Sequence, residues 1–259
     1  MLSAENIVFS YDNRNTCLDN VSFSLGKGEF AAVLGANGSG KSTLARVLAG
    51  FLAPDSGSVI YHGIDRKDLR RRVAIVFQNP DNQFVERTVY SELMFICRNL
   101  SIPGSHGRIS EVLGEVGLSG FEKRDPSTLS GGEKARLLIA SAIIREPQVL
   151  ILDESFSMLD HDTASSCISL IMRLRSELCM SVVLITHNIE EALGADSVYL
   201  MRGGRVVCSG TPDSVMRDAD ALSDAGITPL RATLFASRLR IRPSRLPLDA
   251  DELLEVLCC

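Results

Sequence analysis

Gly35-Ala36-Asn37-Gly38-Ser39-Gly40-Lys41-Ser42-Thr43 decides the fold. Its spacing, Gly-x4-Gly-Lys-Ser, is that of a loop whose successive backbone N–H groups curl into an anion nest. Its glycines let the main chain approach a phosphate where a Cβ would clash. Lys41 suits a bridge between the β- and γ-phosphates of a nucleotide, and the Ser42 hydroxyl suits a hard divalent cation such as Mg²⁺. The flanks agree with this. Glu29-Phe30-Ala31-Ala32-Val33-Leu34 reads as a buried strand entering the loop, and Lys41 to Ala49 reads as a helix whose positive end faces the phosphates.

A second apolar run, Val149-Leu150-Ile151-Leu152, reads as a buried parallel strand ending in Asp153-Glu154. Carboxylates at the carboxyl end of a core strand lie where open α/β sheets bind ligands. Asp153 is expected to hold Mg²⁺ and Glu154 to polarise the attacking water as general base. His187 follows a third buried run, residues 181–186, ahead of a helix expected near Asn188. A donor there would touch the γ-phosphate and register which nucleotide is bound. Gln78 ends a strand read over residues 72–77, and its amide oxygen is suited to metal or water.

Leu129-Ser130-Gly131-Gly132-Glu133 admits two readings at once. Ser-x-x-Glu before an apolar-periodic stretch is a capping box opening a helix through Ile144. A helix start with two glycines also exposes N–H donors and a positive dipole end suited to a phosphate. Ser130 cannot easily serve both roles with one lone pair, so Gly131 and Gly132 are expected to be the main phosphate donors.

Tyr11, the loop 35–43, Gln78, residues 129–133, residues 149–154, Leu159-Asp160 and His187, in this order, resemble the ATP-binding-cassette (ABC) ATPases over roughly residues 3–218. The resemblance implies an α/β fold: a P-loop NTPase, RecA-like core with an antiparallel β side sheet and an inserted helical subdomain at about 81–147. It implies ATP and Mg²⁺ as cofactors, and a second ATPase subunit, identical or related, as partner. Tyr11 would stack on adenine, Ser130, Gly131 and Gly132 would contact ATP in the opposing subunit, and Asp160 would line the seam. Two departures stand out: Glu133 where Gln is usual, and Ser155-Phe156-Ser157 in place of Pro-Thr-Ser/Ala. Neither removes a phosphate, metal or water ligand.

Val76-Phe77-Gln78-Asn79-Pro80-Asp81-Asn82-Gln83-Phe84 narrows the resemblance to the ATPase subunits of energy-coupling-factor transporters, importers of vitamins and transition-metal ions. There the stretch approaches a transmembrane scaffold that works with a small substrate-binding membrane subunit. Residues 229–257 are similar, loosely, to a C-terminal helical extension that holds two ATPases together. The expected organisation is a nucleotide-binding domain at 1–218 and an extension at 219–259. An ordinary ABC importer or exporter ATPase and a soluble ABC ATPase of cofactor assembly stay open as alternatives. The interval between Thr43 and Leu129 is too short for the coiled-coil insertion of repair-type relatives, and a single cassette disfavours the translation type.

Composition agrees: 259 residues, 45% hydrophobic and 23% charged, describe a globular chain rather than a disordered one. No apolar run approaches the ~18 residues of a membrane span. Residues 1–6 lack a signal-peptide pattern, and seven cysteines without Cys-x-x-Cys suggest reduced thiols. A net charge of −5 argues against nucleic acid as partner. The expected location is the cytoplasmic face of the membrane, peripherally. The basic clusters at Arg66, Lys67 and 70–72, and at Arg231, Arg238, Arg240, Arg242 and Arg245, read as solvated faces, with anionic lipid or acids across a dimer as the other readings.

Overall fold

The computed structural model describes residues 2–12, 15–65, 68–103, 105–238 and 247–258; Arg66, Lys67, Arg240, Arg242 and Arg245 of the basic clusters lie outside them. The chain divides into two compact units, one formed mainly by Leu25–Glu29 and Tyr61–Val183, the other by Ser3–Ser24, Phe30–Ile60 and the residues from Leu184 onward.

In the first unit, β5 (Val73–Val76) and β6 (Val149–Asp153) run parallel, with Val73 opposite Val149 and Val76 opposite Leu152. The opening of β7 (Ser181–Thr186) continues this layer beside β6. Every residue of β6 is buried, as expected of a strand covered on both faces. A four-residue α2 (Leu69–Arg72) precedes β5 and buries none of its side chains. Around the strands lie α3 (Val89–Asn99), α4 (Ser105–Glu115), α5 (Gly131–Ile143) and α6 (His161–Leu178). Side chains set the starts of three of them. Thr88 and Ser130 form reciprocal capping boxes for α3 and α5, and Asp160 accepts the Thr163 N–H at 3.0 Å to cap α6. Helix α4 begins at Ser105. Its His106 stacks on Tyr90 with ring centroids 5.9 Å apart and shares a hydrogen bond with the Tyr90 hydroxyl.

In the second unit, β3 (Phe30–Leu34) lies between the end of β7 and β8 (Ser197–Arg202), and β9 (Arg205–Gly210) closes the edge antiparallel to β8. All five residues of β3 are buried; each large apolar side chain so placed contributes roughly 1.5–3 kcal/mol. A side sheet in the order β2–β1–β4 is built from β1 (Leu2–Ser10), β2 (Thr16–Leu25) and β4 (Ser56–Tyr61). It is antiparallel, as the alternation suggests. Helix α1 (Lys41–Leu48) leaves the loop after β3, and α7 (Pro212–Met216), α8 (Ala219–Asp224), α9 (Arg231–Arg238) and α10 (Ala250–Cys258) follow β9.

The helix expected near Asn188 is only a single 3-10 turn, Ile189–Ala192, capped by the Asn188 side chain. Strand β8 starts at Ser197, which leaves no room for more. Arg217 fastens the chain's end to α7. It donates twice to Glu252 of α10, at 2.9 Å each, and to Asp213 at 2.9 Å.

Candidate active site

The phosphate-type loop, residues 35–43, sits in the second unit between β3 and α1, as the apolar run and helix pattern require. Gly40 caps α1, whose first N–H groups are directed out of the helix end toward the loop. Lys41 is 97% buried, and its Nζ donates to the Gly35 and Ala36 carbonyls at 2.7 and 2.9 Å. The ammonium is thus drawn over the loop it belongs to. Ser39 Oγ is buried with no hydrogen-bond partner among the described residues. An orphaned buried hydroxyl in the same loop as a buried cation fits an anionic phosphate ligand.

Two of the other expected residues join this loop. Tyr11, half exposed, meets Thr43 through its hydroxyl at 3.4 Å and receives a hydrogen bond from Arg46 at 3.2 Å. Its ring edge-packs on Phe9 and leaves a face outward. His187 is exposed beyond the buried end of β7 and lines a cavity of about 350 Å³ together with Ala36, Asn37, Asn188 and Arg231. The segment after α8 borders the same cavity. Its Ala225 carbonyl accepts the Ala36 N–H at 3.1 Å.

The first unit carries two further groupings. In one, the exposed Gln78 donates its side-chain amide to Glu154 Oε2 at 3.2 Å and to Ser157 Oγ at 3.3 Å. Asp153 is the buried last residue of β6. Glu154 then turns into the left-handed region, with φ 49°, a conformation that costs a non-glycine residue free energy and concentrates at functional sites. Ser157 donates to the Glu154 carbonyl at 2.9 Å, and the buried Ser155 Oγ donates to the Val76 carbonyl at 2.9 Å. The two serines of the unusual 155–157 stretch are therefore the hydrogen-bonded supports of this turn.

The other grouping is the start of α5 against the start of α6. A β-carbon at Gly132 would come within 2.8 Å of the Thr163 methyl, so a larger residue there requires the Thr163 side chain or the helix to shift. Ser130 Oγ accepts the Glu133 N–H at 3.3 Å, while Glu133 Oε2 accepts the Ser130 N–H at 2.8 Å. The capping reading of this stretch is the one its hydrogen bonds show. Donation from the Ser130 N–H and hydroxyl holds the Glu133 carboxyl below the usual carboxylate range, and the Thr163 N–H does the same for Asp160.

Sequence reasoning missed Ser155 and Ser157 as supports, and Arg124, which lies 3.9 Å from Glu133. The offset of three between Glu154 and Ser157 could have signalled a turn. Nothing local marks Arg124.

Comparison with known proteins identifies the family. The family profile for ABC transporters matches residues 18–157. The chain is 42% identical over 252 residues to the energy-coupling factor transporter ATP-binding protein EcfA1 of Symbiobacterium thermophilum, covering 93% of this chain and 88% of that protein. The structure of cbiO1 from Clostridium perfringens, part of the ABC transporter complex cbiONQ, superposes with a TM-score of 0.79 at 31% identity, covering 93% of this chain and 98% of that one. The ATP-binding cassette MJ0796, solved as a dimer in a post-hydrolysis state bound to ADP and Pi, superposes with a TM-score of 0.72 at 25% identity, over 82% of this chain and 99% of that one. With these relatives and this loop, the chain belongs to the ABC transporter ATPases, and among them to the ATP-binding subunits of energy-coupling factor transporters.

Proposed function

We propose that two such subunits, identical or related, bind two ATP molecules at their seam and use hydrolysis to drive uptake of a vitamin or transition-metal ion through a membrane scaffold. Each ATP lies against residues 35–43 of one chain, with Tyr11 on the adenine and Lys41 on the β- and γ-phosphates. Ser130, Gly131 and Gly132 of the other chain complete the site, with Asp160 along the seam. Glu154 draws the proton from the attacking water, Gln78 orients that water, and His187 senses the γ-phosphate. Ser42, Gln78 and Asp153 offer the hard oxygen donors that Mg²⁺ takes, and the ion when bound neutralises phosphate charge. Residues 1–218 act as the nucleotide-binding domain and 219–259 as an extension that steadies the pair. Residues 78–84 meet the scaffold at the cytoplasmic face; among the described residues no helix is long and apolar enough to cross a membrane.

The observation that carries this reading is Glu154 itself. It is held at positive φ at the end of β6 with its carboxylate already hydrogen-bonded by Gln78. ATP closes the pair because its γ-phosphate reaches the opposing helix start, and hydrolysis reopens it.

The test is co-purification from native membranes of the Glu154→Gln variant in Mg-ATP, with every bound chain identified by mass spectrometry. A scaffold plus a small substrate-binding membrane protein supports the reading and points to the cargo. A pair of large permeases would move the chain to the ordinary ABC transporters, and soluble partners alone would move it to cofactor assembly.

A further inference from the structure

Glu133 departs from the glutamine that the resemblance leads one to expect, and its surroundings give that difference a consequence. Its Oε2 takes the Ser130 hydroxyl at 2.9 Å as well as the Ser130 N–H at 2.8 Å. These two bonds hold the full negative charge of the carboxylate against Ser130. A negative charge fixed there repels an incoming phosphate. The carboxylate also sits in the first turn of α5, where it offsets the positive helix end that would otherwise receive an anion.

A nearby cation answers this charge. Arg124 Nη1 lies 3.9 Å from Glu133 Oε1, and the Arg124 guanidinium is seated 3.8 Å from the centroid of the Phe121 ring. Arg124 is also tied to α3 through its main chain, since its carbonyl accepts the Val89 N–H at 2.9 Å. The loop before α3 is anchored in turn by the buried Glu92, whose Oε2 accepts the Val85 and Glu86 N–H groups at 2.9 and 2.8 Å. Whatever displaces that loop acts on α3, and α3 is bonded to the residue that neutralises Glu133.

We propose that Glu133 is a positioning residue that holds back capture of the partner chain's ATP by the start of α5, and that Arg124 relieves this restraint by neutralising its carboxylate. The inference rests on the composite site proposed above and names a regulation of it. Glutamine at 133 keeps both capping hydrogen bonds through its amide oxygen and removes only the charge. The substitution therefore separates electrostatics from helix capping.

The experiment is steady-state ATP hydrolysis by the complex that purifies with the full chain, as wild type, Glu133→Gln, Arg124→Ala and the double variant, with Ser130→Arg alongside. Glu133→Gln is expected to lower the ATP concentration for half-maximal rate by roughly three- to tenfold, with kcat changed by less than about twofold and thermal stability unchanged. Arg124→Ala should raise that concentration by a similar factor in the wild-type background and lose most of its effect beside Glu133→Gln. Equal effects of Arg124→Ala in both backgrounds, or an unchanged half-saturation for Glu133→Gln, overturns the proposal. Ser130→Arg tells the two levels apart. Normal hydrolysis by that variant removes the composite site and this regulation with it. Loss of hydrolysis there, together with a neutral Glu133→Gln, removes the regulation alone.

Discussion

Gln78 and Glu154 are joined by a hydrogen bond of 3.2 Å from the Gln78 amide to the Glu154 carboxylate, although 75 other residues separate them along the chain. The bond orients Gln78 with its amide nitrogen toward the carboxylate, leaving its oxygen to face elsewhere. A metal or a water is what such an oxygen suits. Ser157 secures the arrangement by accepting from Gln78 and donating to the Glu154 backbone.

Replacing Glu154 with glutamine keeps the size of the side chain and its capacity to hydrogen-bond Gln78 but removes the carboxylate proposed as the base. ATP binding should persist while turnover falls by on the order of a hundredfold or more. Nucleotide titration beside a phosphate-release assay measures both. Hydrolysis at the wild-type rate would take the base role from Glu154.

Lys41→Ala acts twice. It deletes the cation expected at the phosphates, and it leaves the Gly35 and Ala36 carbonyls without their ammonium donor. Nucleotide affinity should drop by at least about tenfold, the scale of one lost charge-assisted contact. Calorimetric titration of the purified variant decides this, and unchanged affinity would contradict the assignment of the loop.

Gly132→Ala tests packing rather than chemistry. The added methyl would meet Thr163 Cγ2 at 2.8 Å and force α5 and α6 apart, at about 1–3 kcal/mol. Thr163→Ser removes the opposing methyl and should restore most of the loss, read as the thermal midpoint of the two variants combined. If Gly132→Ala unfolds at the wild-type temperature, the close approach is not what demands glycine.

Acid should weaken the first unit through its caps. Asp160, Glu133 and Asp125 all have folded-state pKa values lowered by hydrogen bonds from the N–H and hydroxyl groups they cap. Groups lowered on folding stabilise fully above their unfolded pKa, near 4 for carboxylates, and lose that contribution as pH falls through the lower folded value. Denaturant unfolding measured between about pH 2 and pH 7 should therefore show stability declining below about pH 4. Asp160→Asn caps without titrating, so the decline should become shallower; an identical slope would mean that Asp160 does not participate.

Much of the candidate site is legible in the amino-acid order because its chemistry is local. The loop 35–43 is proposed to bind phosphate through its own backbone, so its residue types and spacing carry that reading. The Ser130–Glu133 capping box spans four residues and forms as written. Apolar runs marked β3, β6 and β7 to within a residue or so, since each is buried along its whole length. Where the reading failed, the deciding partner was distant or the space was short. Asn188 looked like a helix start, and only the position of β8 limits it to one turn. The 18-residue α6 went unremarked, although Asp160, already singled out for the seam, is its cap.

The amino-acid order by itself determined that this chain handles a nucleotide, and which residues are candidates for the phosphate nest, the base and the metal ligands, because each motif acts over a few neighbouring residues. Only the tertiary structure decided what those residues lean on. Gly132 is crowded because α6 brings the Thr163 methyl to 2.8 Å from where a β-carbon would stand. Arg217 binds Glu252 and so returns the chain's end to α7. Gly226, at φ 71°, passes so near Ala36 that a β-carbon would come within 2.8 Å, next to the Ala225 carbonyl that holds the Ala36 N–H. Contacts such as these join residues far apart in the chain, where neither propensity nor periodicity has any reach, and they form only when the elements pack.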